Sequence, residues 1–480
     1  MINLEKLTIK SAREGLKSGK FSSHDLVQAC LNVIKEKNKE LNAFLEVFDN
    51  VLDQADEADK KIAEGGLSAS RRMPLLGIPL AIKDNILISG QKATAGSKIL
   101  EGFISPTNST AVQKLLDAGA VIVGRTNCDE FAMGSSTESS AFGLTKNPYD
   151  LSRVPGGSSG GSAVAVSANM VLGALGSDTA GSIRQPAAFC GVVGFKPTYG
   201  RVSRSGLIAM TSSLDQIGPF TKTVEDAELI YEVMKGVDPL DSTTTTDATY
   251  PKKNPPAGGN KTIGIPRAFF EGEGVSEVVK KNLEESIEKF KSLGYKIVDI
   301  SLPNISYSLA TYYILMPAEV SSNLARFDGV KYGLHVDGTN GIEDYFKSRG
   351  EGFGREVRRR IILGTYVLSS GYYDAYYGSA IKAKQIITDE IRNAFKDVDL
   401  ILTPTAPTPA FKFGEKATPL DMYLADIFTV PANISGCPSI SLPSGMTEVD
   451  EVSLPLGIEL TADLNREDNL FTASKEFLSK

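Results

Sequence analysis

Histidine is almost missing: the 480 residues contain only two, His24 and His335. They lie far apart, in segments without other catalytic signals, so a histidine-based zinc site or a Ser-His-Asp triad has almost no material. Cysteine is scarce as well. Cys30, Cys128, Cys190 and Cys437 are widely spaced and form no C-x-x-C pair, which argues against a disulfide framework or a metal knuckle and leaves buried, reduced thiols. No apolar run reaches the ~18 residues of a membrane span. The opening Met1-Ile2-Asn3-Leu4-Glu5-Lys6 lacks the basic and apolar regions of a secretion signal, and the expectation is a cytoplasmic protein without a membrane partner. A net charge of −7 argues against a surface that grips nucleic acid through bulk charge.

What remains is a globular composition, 41% hydrophobic and 23% charged, on a chain long enough for a large core. At a prior of ~150 residues per domain about three domains are allowed, but the patterning argues for one. Residues 1–65 read as a helical segment: Phe21-Ser22-Ser23-His24-Asp25 offers an N-cap cluster, and Leu26, Ala29, Cys30, Val33 and Ile34 follow at helical spacing. His24 is then a surface residue in a helix's first turn. From Leu75 short apolar runs alternate with helices. Strands are expected over Leu76–Ile82, Ala120–Gly124, Val171–Leu175 and Tyr295–Ile300, and helices over Ser109–Leu116, Ser162–Ala168, Val224–Met234 and Val278–Leu293. This alternation predicts an α/β fold over 66–480, a mixed central sheet flanked by helices on both faces. Asp241 to Lys261, rich in Thr, Pro and Gly, reads as a loop or linker.

The densest unusual segment holds two small-residue clusters, Pro155-Gly156-Gly157-Ser158-Ser159-Gly160-Gly161-Ser162 and Gly176-Ser177-Asp178-Thr179-Ala180-Gly181-Ser182-Ile183-Arg184-Gln185-Pro186-Ala187. Glycines let a ligand approach the main chain, and amides before a helix can hold an anion. A nucleotide loop of the Walker type is not supported, because Gly161 is followed by Ser162-Ala163-Val164 instead of Lys and Ser or Thr. With histidine unavailable, a serine needs another base. A lysine serves if desolvation lowers its pKa towards neutrality, and Lys83, at the carboxyl end of an apolar strand, stands where α/β sheets put their sites.

Lys83, the Gly-Gly-Ser-Ser-Gly-Gly-Ser run and the Gly-Ser-Asp-Thr-Ala-Gly-Ser-Ile-Arg-Gln-Pro-Ala run, in this order and spacing, together resemble the amidase signature family. The resemblance implies a Ser-Ser-Lys triad. Ser182 would be the nucleophile, Ser158, after a cis peptide bond with Gly157, the proton relay, and Lys83 the base and then the acid. Backbone N–H groups of Thr179, Ala180, Gly181 and Ser182 would form the oxyanion hole.

Further runs, Thr126 to Ser136, Arg359 to Tyr366, Gly371 to Tyr377, Pro404 to Pro409 and Met422 to Asp426, are similar to one branch of that family, the glutaminase subunits of tRNA-dependent amidotransferases. This implies glutamine as substrate, with Arg359 or Arg360 on its carboxylate, Asp426 on its ammonium, and Ser135 and Tyr313 as further contacts. For Tyr313 core packing is an equal alternative. It also implies a heterotrimer whose two other subunits deal with Glu-tRNA(Gln), ATP and Mg²⁺, with no cofactor in this chain. The alternatives are a free-standing amidase for small amides and a catalytically silent scaffold subunit. Two departures stand near the C-terminus: Glu459 where glutamine is common, and Leu460 to Asn465 without the usual apolar strand, before a closing helix over Glu467–Leu478.

Overall fold

The computed structural model describes residues 2–249, 261–271, 274–416 and 418–479, and no side chains of 66–71. Among the described residues eleven strands share one sheet: β1 Phe44–Val47, β2 Pro79–Lys83, β3 Val121–Thr126, β4 Gly173–Asp178, β5 Val193–Lys196, β6 Gln216–Thr221, β7 Thr262–Ile265, β8 Lys296–Asp299, β9 Leu400–Pro404, β10 Ser439–Val449 and β11 Val452–Ala462, in the spatial order β1-β3-β2-β4-β6-β5-β10-β11-β9-β7-β8. The sheet is mixed. β2 runs parallel to β3 and β4, and β7 parallel to β8 and β9, while the intervening pairs are antiparallel. Strands β2, β3, β4, β5, β6 and β9 are buried at every position. Continuous burial requires cover on both faces, and the helices provide it.

Local chemistry explains the elements that matter for function. Helix Gly160–Ser167 starts inside the Gly-Ser cluster, and its Ala-Val face is wholly buried. Helix Thr110–Asp117 is capped by the Ser109 hydroxyl on Val112 N–H. Helix Ser23–Leu41 carries a capping box of Ser22 and Asp25, and His24 sits in its first turn with Nδ1 2.7 Å from Asp56 Oδ1.

Three features differ from the sequence reading. The first 65 residues are not all helical, since Phe44–Val47 forms β1 and pairs with β3. Helix Val51–Arg72 runs through position 65, so no break in the backbone marks a boundary there. The C-terminal strand does form: β11 continues to Ala462, with Leu460 opposite Leu402 and both buried. Three or four alternating residues suffice once neighbouring strands supply the ladder, although alone they signal little. Of the expected loop at 241–261, residues 241–249 lie in turns and irregular chain and 250–260 fall outside the described residues. No helix among the described residues is long and apolar enough to cross a membrane.

Candidate active site

Parallel pairing of β2 with β4 sets Ile82 opposite Leu175, so the carboxyl ends of both strands open at the same edge. Lys83 ends β2, and Ser177 and Asp178 end β4. Lys83 is fully buried. Its Nζ lies 2.7 Å from Ser158 Oγ, 2.8 Å from Ser159 Oγ and 3.0 Å from Ser177 Oγ. Burial lowers its pKa to about 8 against the upward pull of nearby carboxylates, among them Asp129 and Asp178. The amine therefore exchanges its proton close to neutrality, with Ser158 as its shortest contact.

Ser158 follows a cis peptide bond with Gly157. Gly157 has to be glycine, because a Cβ there would lie 2.2 Å from Asp129 Oδ2 and 2.6 Å from Ser136 N. Ser159 N–H donates to the Ser182 carbonyl at 3.2 Å, drawing the two serine segments together. Among the described residues no hydrogen bond joins the Ser158 and Ser182 hydroxyls. Such contacts are commonly loose without substrate and tighten in the complex.

The turn from Thr179 to Ser182 is held from outside by one buried ion network. Asp178 accepts the N–H groups of Gly181 (2.9 Å) and Ile183 (3.1 Å) and a two-pronged contact from Arg184. Arg184 also donates to Glu459 Oε1 at 2.6 Å, to the Thr429 carbonyl at 2.8 Å and to Asn433 Oδ1. Burial raises the Asp178 carboxyl, yet Arg184 outweighs this and holds it well below the ordinary range. Gly181 drops out of the expected oxyanion donors for the same reason, since its N–H is spent on Asp178. The N–H groups of Thr179, Ala180 and Ser182 donate to no protein acceptor among the described residues. They remain the donors the turn can offer.

Replacing Arg184 by methionine takes from the buried Asp178 and Glu459 the one cation hydrogen-bonded to both among the described residues. The expected loss is about 3–5 kcal/mol of unfolding free energy, read as a lower urea midpoint at an unchanged slope. A midpoint equal to that of the unaltered protein would show that the network does not hold the turn.

Beside these segments lies a cavity of about 360 Å³ lined by Ser135, Ser136, Glu356, Arg359, Arg360, Tyr423 and others. Arg360 is buried, bonded through Nε to Glu356 at 2.8 Å and placed 5.6 Å from the ring centres of both Tyr313 and Tyr423. Arg359 is less buried and spends Nη1 on Glu356. Of the two candidate arginines, Arg360 is the one enclosed by the site. Asp426 accepts from Ser135 Oγ through Oδ2, while its buried Oδ1 has no partner among the described residues. Burial pushes its carboxyl up to about 8; a bound cation would restore the charge. Tyr313 stacks on Tyr423 at 3.7 Å between ring centres and so supports the wall around Arg360.

Several functional residues escaped the sequence reading. Asp178 and Arg184 stood inside a motif already singled out, but their partners Thr429, Asn433 and Glu459 are more than 240 positions away. Tyr312, not its neighbour, touches the Thr179 hydroxyl at 3.2 Å. Most amides of the Gly156–Gly161 loop, considered as an anion cradle, are used internally: Gly157 on Gln185 Oε1, Ser159 on the Ser182 carbonyl, Gly160 on Thr137 Oγ1 and Gly161 on the Asn127 carbonyl. His335 lies outside the site, with Nδ1 2.9 Å from the Gly329 carbonyl. Among the described residues no cluster of three or more His, Cys, Asp or Glu side chains is arranged to hold a metal ion, and all four cysteines are free and buried.

The sequence model of the family described as Amidase matches residues 25–471. A protein of Desulfatibacillum aliphaticivorans, named as the A-subunit of glutamyl-tRNA(Gln) amidotransferase, is 49% identical over 480 residues, covering 99% of this chain and 97% of its own. A protein of the same name from Thermoanaerobacter pseudethanolicus is 51% identical, covering 96% and 93%. The crystal structure of the corresponding A-subunit from Thermotoga maritima superposes with a TM-score of 0.77 at 42% identity, over 99% of this chain and 94% of that one.

Proposed function

Because the chain belongs to the amidase family, we propose that it is the glutamine-hydrolysing subunit of a glutamyl-tRNA(Gln) amidotransferase. The observation that carries this reading is the pairing of two features in one site. A buried lysine with a pKa of about 8 touches a serine, and next to it a cavity holds a buried arginine and reaches, through Ser135, a carboxylate with an unpartnered oxygen. The first suits amide hydrolysis by serine. The second suits an amino acid carrying both charges at its α-carbon.

In this mechanism neutral Lys83 accepts a proton from Ser158, which takes the proton of Ser182 as Ser182 Oγ attacks the γ-carboxamide carbon. Charge develops on the carbonyl oxygen and is met by the amides of Thr179, Ala180 and Ser182. The proton held on Lys83 then returns through Ser158 to the departing nitrogen, releasing ammonia and leaving a γ-glutamyl ester on Ser182. Water, deprotonated by the same relay, hydrolyses the ester. Arg360 pairs with the α-carboxylate and Asp426 with the α-ammonium. Ammonia then serves a partner: two further subunits, one of which binds ATP, Mg²⁺ and Glu-tRNA(Gln), complete the assembly, and this chain carries no cofactor of its own. A cytoplasmic location fits that role.

Asp426→Asn separates this reading from a small-amide hydrolase. A charge-assisted hydrogen bond contributes about 1.5–3 kcal/mol, so KM for glutamine rises by about 10- to 150-fold with kcat little changed. Hydrolysis of propionamide, which has no ammonium, stays as it was. Unaltered glutamine KM in the variant rejects the assignment of Asp426; propionamide turnover without glutamine turnover in the parent protein rejects the glutaminase reading.

A further inference from the structure

Thr429 sits outside every motif discussed above, yet it touches both halves of the site. Its buried hydroxyl lies within hydrogen-bonding distance of two carbonyl oxygens, that of Ala180 in the oxyanion turn and that of Asp426 at 3.0 Å. Its own N–H donates to the same Asp426 carbonyl at 3.1 Å, and its carbonyl accepts Arg184 Nη1 at 2.8 Å. The peptide unit between Ala180 and Gly181 is thereby pinned at both ends, its C=O by the Thr429 hydroxyl and its N–H by Asp178. A pinned peptide plane fixes the direction of the amides on either side, those of Ala180 and Ser182, two of the three left free. Gly181 adopts φ +127°, and a Cβ there would lie 2.2 Å from Thr429 Oγ1. The close approach of that hydroxyl is therefore built into the turn.

We propose that Thr429 is a positioning residue for the reaction, whose hydroxyl aligns the oxyanion amides and ties them to the turn that presents Asp426. This rests on the reading of Thr179 to Ser182 as the oxyanion turn, but not on the identity of the amide substrate. A donor aimed at developing charge stabilises the transition state more than the bound substrate. Loss of alignment therefore appears in kcat and not in KM. A displacement of about 1 Å at a reacting centre lowers rates by about 100-fold.

The test compares Thr429→Val, which keeps the shape and loses the donor, with Thr429→Ser, which keeps the donor and loses the methyl group. Both are assayed in the assembled complex with glutamine and in parallel with propionamide, with rates expressed per folded, monodisperse protein. Expected is a kcat about 100-fold lower for the valine variant on whichever amide the parent protein hydrolyses, at an unchanged KM, and a serine variant within about threefold of the parent. Equal rates for the valine variant and the parent overturn the proposal. So does a serine variant that folds but is as slow as the valine variant, because the hydroxyl would then not be the operative group. If the valine protein does not fold, Thr429→Ala takes its place, with the same loss expected and parent-like rates again overturning the role. Failure of the glutamine reading is read separately, from the parent protein's own substrate preference.

Discussion

Lys83→Ala stops glutamine turnover, with an expected loss of at least about 10⁴-fold, the upper range for a single positioned acid–base group. The size follows from its double use, as base towards Ser158 and then as acid towards ammonia. The variant folds. Removing a fully buried amine whose charge is disfavoured by desolvation relieves a cost more than it removes support, since Ser159 Oγ also donates to the Ser177 carbonyl at 3.2 Å and Ser177 Oγ also accepts from Asn85 Nδ2 at 2.9 Å. In the parent protein the same chemistry fixes the pH profile. Only the neutral amine accepts a proton, and only the ionised Asp426 meets the α-ammonium, so kcat/KM for glutamine rises with pH and levels off above about 8, the value burial gives both Lys83 and Asp426. An ordinary exposed lysine would place that limb above about 10. A limb near 10, or a Lys83→Ala protein with parent-like turnover, refutes the lysine as base.

How much of this was legible before the fold was seen depends on sequence distance. Ser158 and Ser182 stand in local runs whose composition is unusual, Lys83 stands out only as a lysine ending an apolar strand in a chain short of histidine, and helices such as Val224–Met234 announce themselves through periodicity. The contacts that give these residues their function are different in kind. Asp178 and Arg184 are six positions apart and carry no signal beyond charge; only the fold brings them Asn433, Glu459 and Thr429. Glu459 shows the effect most clearly. As a departure near the C-terminus it placed the last strand in question, whereas in the fold it is a second acidic partner of Arg184 and shares Oε1 with the Ser439 hydroxyl. Which amides of the oxyanion turn are free was equally hidden, because it depends on which way the Asp178 carboxylate faces. The pair Tyr312 and Tyr313 divides the same way: both pack, but Tyr312 reaches Thr179 and Tyr313 backs Arg360.

Ser182→Ala carries the largest expected effect, about 10⁶-fold in kcat, the scale seen when the nucleophile of a serine hydrolase is removed. The backbone amides at Thr179, Ala180 and Ser182 do not depend on the side chain, and neither do Arg360 and Asp426, so glutamine still binds and KM stays close to that of the parent. What is lost is the acyl-enzyme route. A fluorophosphonate that labels the parent protein at Ser182 leaves the variant unlabelled. The decisive result is the combination with Lys83→Ala. Ser158 and Lys83 act only on the acyl-enzyme route, moving the proton of Ser182 and then that of the hydrolytic water, so once the nucleophile is gone the base has nothing to act on. The double variant should therefore be no slower than Ser182→Ala alone, within about a factor of ten, although the single losses would multiply to about 10¹⁰ if they were independent. Losses that multiply would mean that Lys83 and Ser182 act on separate steps, and the triad would have to be redrawn with another group as the base for Ser182.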